Sequence, residues 1–296
     1  EGKAYGHGLE ATLSLAHALV DVLYVITPGE AAAIRAWEKT HGQPEREVLV
    51  LGALSPEACV ELARLNVSAV AADRGFEAAV KSGVSIHVHL DTGLSREGFT
   101  LEQVRAGEAD FLRGADVRGV MSHFANTEDV TEQSYARQQL ANFEAGLALL
   151  RERIGLAHPE RHFAASAAAL VLPPSRLDVL RIGIAQYGLW PPAETRLSAR
   201  VVLGDVPTLE PVLTWKAPSQ VVKWLKAGSY VGYGCTYRCA ADTRVAVLPV
   251  GYWEGYPRLA SGKAHVLVNG QRCPVLGRVM MNHLIVGVKH AVKDEA

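Results

Sequence analysis

Between residues 10 and 190, short β-branched runs alternate with longer stretches whose apolar residues recur at helical spacing. DVLYVIT (21–27), EVLVL (47–51), VSAVAA (67–72) and VSIHVHL (84–90) read as strands. PGEAAAIRAWEKTHG (28–42), SPEACVELARL (55–65), RGFEAAVKSG (74–83) and TLEQVRAGEADFL (100–112) read as helices. Ser55 is placed to cap the second of these, with Pro56 at its first position. The pattern continues with VRGVMSHF (117–124), an amphipathic helix over about 130–155, RHFAAS (161–166) and DVLRIGIAQYG (178–188). Such alternation predicts a parallel sheet with helical crossovers. Seven strands fall between residues 21 and 188, whereas a closed (β/α)8 barrel needs eight. The count implies a barrel whose first strand is largely missing, the chain opening where that strand would end. An open doubly wound sheet is the alternative, but no early G-x-G-x-x-G supports it.

The texture changes after WPPAETRLSA (190–199), which reads as a link. Beyond it RVVLGDV, VLTWKAPSQVVKWLKAGSYVGYG, TRVAVLPVGYW, KAHVLVNGQRCPVLGRVM and HLIVGV are strand-rich, and Asn269-Gly270 between apolar runs marks a hairpin. The expected architecture is a (β/α)8 TIM-type barrel over 1–192 followed by a mainly antiparallel β-domain over 196–296, incomplete at its end.

Composition narrows the function. Of 296 residues, 49% are hydrophobic and 21% charged, the profile of a globular protein. Lys plus Arg (30) balance Asp plus Glu (31), leaving no global field to favour nucleic acid or an anionic membrane. Four cysteines without a C-x-x-C pair read as reduced thiols of a cytoplasmic protein. No apolar stretch reaches the roughly 18 residues of a membrane span, and no cleavable leader is visible.

In a barrel the strand C-termini carry the chemistry, and phosphate often sits after strands seven and eight. Ser166 stands after strand seven of the expected barrel, and RIGIAQYG (181–188) after strand eight. A hydroxyl with backbone N–H groups around Gly183 and Ile184 would cradle a phosphate without a basic patch. His87 and His89 form H-x-H on one strand face; no third ligand stands at suitable spacing, so barrel interior is the reading preferred over a metal pair.

AYGHG, HLDTGLSREGF, GVMSHFANTED, LRIGIAQYGLWP, VGYGCTY, LPVGYWEGYPR and VLVNGQRCPVLGRVMMN occur in this order along nearly the whole chain. Together they resemble the alanine racemase family, pyridoxal-phosphate enzymes with a barrel and a C-terminal β-domain. The resemblance implies interconversion of L- and D-alanine by two bases flanking a cofactor aldimine, in a head-to-tail homodimer with shared sites. It implies a Schiff-base lysine near the start, represented by Lys3, and a tyrosine base, Tyr233, supplied to the partner's site. It also implies that Tyr5, Ser166, Gly183 and Ile184 bind phosphate and that His123 contacts the pyridine ring. Arg181 would hydrogen-bond the pyridine nitrogen, and Arg96 would lie near the phenolic oxygen. Tyr252 and Met281 would line the substrate entrance and carboxylate site.

Three positions and one segment depart from the family pattern. Its lysine stands four residues before the Tyr of Tyr-Gly-His-Gly, and four before Tyr5 is Glu1. Lys3 keeps the strand face but shifts the amine by about 6–7 Å. Either the local backbone is two residues shorter and Lys3 serves, or the register holds and the lysine is gone, or Glu1 is an error at a fragment edge. His89 replaces a carbamylated lysine, so a cation or a neutral imidazole takes over that role. Asn282 replaces an aspartate, and the family's last segment, with a further phosphate-binding tyrosine, is unmatched. A relative that binds cofactor or partner without turnover is therefore the second reading. Another pyridoxal-phosphate enzyme on the same barrel is the third, disfavoured by Tyr233.

Overall fold

The computed structural model describes residues 2–128 and 131–288. It divides into two compact units, Glu1–Val212 and Leu213–Ala296. Glu1 itself, and the charged tail after residue 288, lie outside the described residues.

The first unit is built on seven parallel strands in sequential order: β1 (Val22–Val25), β2 (Glu47–Val50), β3 (Ser68–Ala71), β4 (Ile86–His89), β5 (Val117–Met121), β6 (Glu160–Ala165) and β7 (Val179–Arg181). This is the seven-stranded near-barrel that the alternation predicts. All four residues of β3 and of β4 are buried, as expected of a parallel sheet covered on both faces. The crossovers start where local chemistry dictates. Thr27 and Glu30 form a reciprocal capping box around Pro28 at the head of helix Pro28–Thr40. Ser55 accepts from Ala58 N at the head of helix Pro56–Arg64. The predicted helix over about 130–155 is Ser134–Ile154, closed by Gly155 in the left-handed region. Its Phe143, Leu147 and Leu150, spaced at i, i+4 and i+7, are fully buried in the main core with Phe99 and Phe163.

Three expectations fail. TLEQVRAGEADFL is not one helix but Leu101–Arg105 followed by the separate turn Asp110–Leu112. The opening residues are not a strand end: Gly2–Tyr5 make one tight turn in which Lys3, Ala4 and Tyr5 all have φ between 52° and 58°. The expected strand RVVLGDV begins as helix, because Ala193–Leu203 is one continuous helix. Its small residues Thr195, Ser198 and Ala199 are buried at i, i+3 and i+4, and the helix packs on helix Ser166–Val171. That face outweighs the strand preference of Val201 and Val202, which stay exposed. The stretch read as a link is therefore largely helical.

The second unit is antiparallel. β8 (Val221–Leu225), β11 (Thr243–Leu248) and β14 (Leu284–Gly287) form a three-stranded sheet. β9 (Tyr230–Val231) pairs with β10 (Tyr237–Arg238), and β12 (His265–Val268) with β13 (Gln271–Pro274). The β12–β13 hairpin turns on Asn269 and Gly270, with φ of 47° and 78°, the positive pair that a two-residue primed turn needs. A core around Ala246, Val275, Leu284 and Val286 holds the unit together.

Candidate active site

The side chains that carry chemistry gather at the ends of β4 to β7. Arg181, last residue of β7, is 9% exposed and turned inward. Its Nη1 donates to His162 Nδ1 (2.9 Å) and to the His162 carbonyl (2.8 Å). Its Nη2 donates to the carbonyls of Ser122 (2.6 Å) and Phe163 (3.1 Å), with His123 Nδ1 at 3.3 Å. The strand-end carbonyls of β5 and β6 thus fix the guanidinium plane. His162 is a residue that sequence reading passed over: the alternation of β6 points it inward, but no motif marks it. Burial, then the neighbouring Arg181 charge, holds its pKa well below the usual histidine value. His89 is likewise pushed down, to about 3, by burial first and by Arg181 and Arg96 next. Of the two options for position 89, the structure supports the neutral imidazole.

A second group lies after β6 and β7. Ser166 is buried at the start of helix Ser166–Val171, and its Oγ accepts from Gly183 N (3.0 Å) and Ala185 N (3.4 Å). Ile184 begins the short turn Ile184–Tyr187. A Cβ on Gly183 would overlap the hydroxyl of Tyr5, so Tyr5 reaches this corner. The Tyr5 and His7 rings both pack on Tyr187, the latter stacked at 4.2 Å. Hydroxyls and small-residue amides without a cationic side chain suit a phosphate, and this corner has the donors and the absence of a Cβ that one would need.

The loops after β4 and β5 are held by one face of helix Ser134–Ile154. Gln139, fully buried, accepts from Ala125 N (2.9 Å) and donates to the His123 carbonyl (3.2 Å) and Thr92 Oγ1 (3.4 Å). Asn142 donates to the Thr92 carbonyl (3.0 Å), and Tyr135 to the Gly93 carbonyl (2.6 Å). Thr92 and Ser122 hydroxyls meet at 2.8 Å, and Ser122 donates on to the Leu90 carbonyl at 2.7 Å. His123 is thereby fixed from its backbone as well as from Arg181. None of Tyr135, Gln139 and Asn142 stands out in sequence, since each reads as the polar side of an amphipathic helix.

Two of the nominated residues stand apart from these groups. Arg96 is largely exposed and pairs with Glu97 at 3.0 Å. Lys3 is exposed in the opening turn, where its backbone N–H donates to Glu30 Oε1 at 2.6 Å.

In the second unit Tyr233, Tyr252 and Met281 line one concavity of about 350 Å³ with Arg258, Arg278 and Asn282. Tyr233 sits on a sharp turn, Tyr233–Cys235, flanked by Gly232 and containing Gly234, both at φ 72°. The guanidinium of Arg278 lies against Gly234. Tyr252 and Trp253 donate their N–H groups to the carbonyls of Met280 and Met281 (3.0 and 2.9 Å), which ties this loop to the segment that carries Met281. Asn282 donates to Glu254 Oε1 at 2.9 Å. Glu254 is anchored further by Gly251 N at 2.8 Å.

Known proteins bear on this arrangement. Residues 2–191 match the alanine racemase N-terminal domain family, and residues 212–296 match the alanine racemase C-terminal domain family. The alanine racemase of Leptospira interrogans is 32% identical over 297 residues, covering 98% of this chain and 75% of that protein. The biosynthetic alanine racemase of Pseudomonas aeruginosa superposes with a TM-score of 0.81 at 32% identity, over 97% of this chain and 76% of that one. The alanine racemase of Bartonella henselae, solved with covalently bound pyridoxal phosphate, shares the fold: TM-score 0.81 at 23% identity, over 99% and 78% of the two chains. With both of its halves and nearly its whole length matched, this chain belongs to the alanine racemase family.

Proposed function

We propose that the chain interconverts L- and D-alanine with pyridoxal 5′-phosphate as cofactor. The observation that carries this reading is the corner where Ser166 Oγ, the Gly183 amide and the Tyr5 hydroxyl converge beside the buried Arg181. When bound, the cofactor supplies the electron sink that acidifies an amino acid's Cα proton.

The remaining work belongs to the protein. Tyr5, Ser166, Gly183 and Ile184 hold the phosphate by hydroxyl and amide hydrogen bonds. Arg181 presents its guanidinium to the ring nitrogen. A guanidinium does not give up its proton in a protein, so Arg181 would hold that nitrogen as an acceptor and make the bound group a weaker electron sink. This favours returning the proton to Cα over side reactions. His123 would support the ring face, and Arg96 would lie near the phenolic oxygen. Racemisation needs a base on each face of Cα: the Tyr233 hydroxyl on one and the Lys3 amine on the other. Tyr233 is 71% exposed on its own unit, and Met281 and Tyr252 are 51% and 43% exposed. Such exposure supports a homodimer in which this concavity serves the partner's site and selects a small substrate.

The second reading, cofactor binding without turnover, is favoured by one observation, the exposed turn that carries Lys3. Borohydride reduction of the chain mixed with pyridoxal phosphate, followed by peptide mass mapping, separates the two. Specific labelling of Lys3 together with alanine racemisation supports the enzyme. Scattered labelling of surface lysines without racemisation supports the second reading.

A further inference from the structure

Beneath Arg181 a line of polar side chains runs down the sheet interior. His162 Nε2 lies 2.8 Å from His87 Nδ1, both rings being fully buried. His87 Nε2 lies 3.4 Å from Glu47 Oε1, and Glu160 completes a cluster with ligand atoms within 4.8 Å of one another. β4 and β6 are not neighbours, because β5 runs between them. The His87 ring crosses that strand over Gly119, where a Cβ would overlap its Nδ1. The contact therefore exists because position 119 is glycine.

The chemistry of the partners sets the direction of every bond. Arginine can only donate, so His162 Nδ1 must hold a lone pair toward Arg181 Nη1. A neutral His162 then carries its proton on Nε2 and donates it to His87 Nδ1. His87 in turn carries its proton on Nε2, which faces Glu47 Oε1 at the 3.4 Å of an ion pair rather than in a formed hydrogen bond. Were His87 cationic, two N–H groups would confront each other at 2.8 Å. We infer that His87 and Glu47 are positioning residues that fix the ring tautomer of His162 and, through it, the orientation of Arg181. The inference rests on the proposed function only for the meaning of Arg181; the direction of the hydrogen bonds does not.

The same cluster offers one imidazole and two carboxylates to a divalent cation. A cation on His87 Nε2 would move that ring's proton to Nδ1. His162 would then have to accept at both nitrogens, from His87 and from Arg181, and would retain no proton at all. Metal binding and the Arg181–His162 bond therefore exclude one another, and the geometry favours the hydrogen-bonded line.

Two-bond ¹H–¹⁵N correlation on the full chain labelled at histidine reads the tautomers directly, without cofactor or turnover. Both His162 and His87 are expected as Nε2–H tautomers. Glu47→Gln, which keeps an acceptor oxygen, preserves both; Glu47→Leu and Gly119→Ala leave His162 a mixture. The affinity for pyridoxal phosphate should fall about tenfold in Glu47→Leu and Gly119→Ala and stay within about twofold in Glu47→Gln, the scale of one hydrogen bond. A Nδ1–H tautomer of His162 in the parent chain would overturn the inference even if neither variant folds. A His87 Nε2 resonance that shifts on stoichiometric Zn²⁺ would overturn it in favour of a metal site. Absence of racemisation, with the tautomers as stated, would count against the proposed function alone.

Discussion

The hydroxyl of Tyr5 lies in the space that a Cβ on residue 183 would fill. Gly183 is thus the floor on which the opening Tyr-Gly-His-Gly segment rests, and the ring of Tyr187 is its wall. Gly183→Ala should push the Tyr5 hydroxyl outward. Tyr5 is 41% exposed, so the ring has somewhere to go, and stability should change by less than about 1 kcal/mol. Pyridoxal phosphate should bind about tenfold more weakly. Tyr5→Phe should show a similar loss and the double variant no more than either, because both changes remove the same hydroxyl. Additive losses, measured by equilibrium dialysis, would sever the link between the two residues.

Ser166→Ala leaves two amides, Gly183 N–H and Ala185 N–H, without the oxygen they share. Ser166 is 5% exposed, so water replaces that oxygen poorly. A loss of about 1–3 kcal/mol is expected from urea unfolding. An unchanged midpoint would mean that the turn relaxes to find other acceptors.

Gln139→Leu keeps the volume but removes one acceptor and two donor contacts at a fully buried position. About 2–4 kcal/mol should be lost. Gln139→Glu keeps the acceptor for Ala125 N–H and loses the donors, so near-UV dichroism and urea midpoints should rank it with the leucine variant. Parent-like behaviour of Gln139→Glu would show that the carbonyls of His123 and the hydroxyl of Thr92 do not depend on it.

The acid limb of stability should carry the signature of Glu38. Burial alone would raise its pKa, but hydrogen bonds from Arg46 N–H, His17 and Arg35 outweigh it and hold the carboxyl below its ordinary 4.5. The folded value is thus lower than the unfolded one, so the contribution is complete above about pH 4.5 and disappears as pH falls through the folded value. Glu38→Gln should lower the melting temperature at pH 7 and flatten its fall as pH drops below about 4.5. A variant whose acid limb is as steep as the parent's would assign that limb to other carboxylates.

Strands β1 to β7 and the helices between them were legible because their signals are local. Ser55-Pro56 announces a helix start, and β-branched runs of four or five residues announce buried parallel strands. Asn269-Gly270 announced its hairpin for the same reason. Helix Ala193–Leu203 was hidden because its buried face is made of Thr195, Ser198 and Ala199, residues that carry little hydrophobic signal. At the site, Ser166, Arg181 and Gly183 were legible from strand-end position and from ordered motifs. His162, Glu47 and Gly119 were not. Their relationship runs across the sheet from β2 through β4 and β5 to β6, at separations that no periodicity along the chain records. Gln139 escaped for the opposite reason: a polar residue in an amphipathic helix is ordinarily read as solvent-facing, and this one faces inward.

The single helix face that grips the loops after both β4 and β5 has a further consequence for motion. Tyr135, Gln139 and Asn142 bind Gly93, Thr92, His123 and Ala125 from one rigid rod. Detaching the loop after β4 breaks the Gln139 bond to Thr92 and the Thr92–Ser122 hydroxyl contact, both of which tie it to the loop after β5. The amide protons of the two loops should therefore share one opening equilibrium with solvent and exchange in step. A ligand that quiets the loop after one strand quiets its neighbour as well, without touching it.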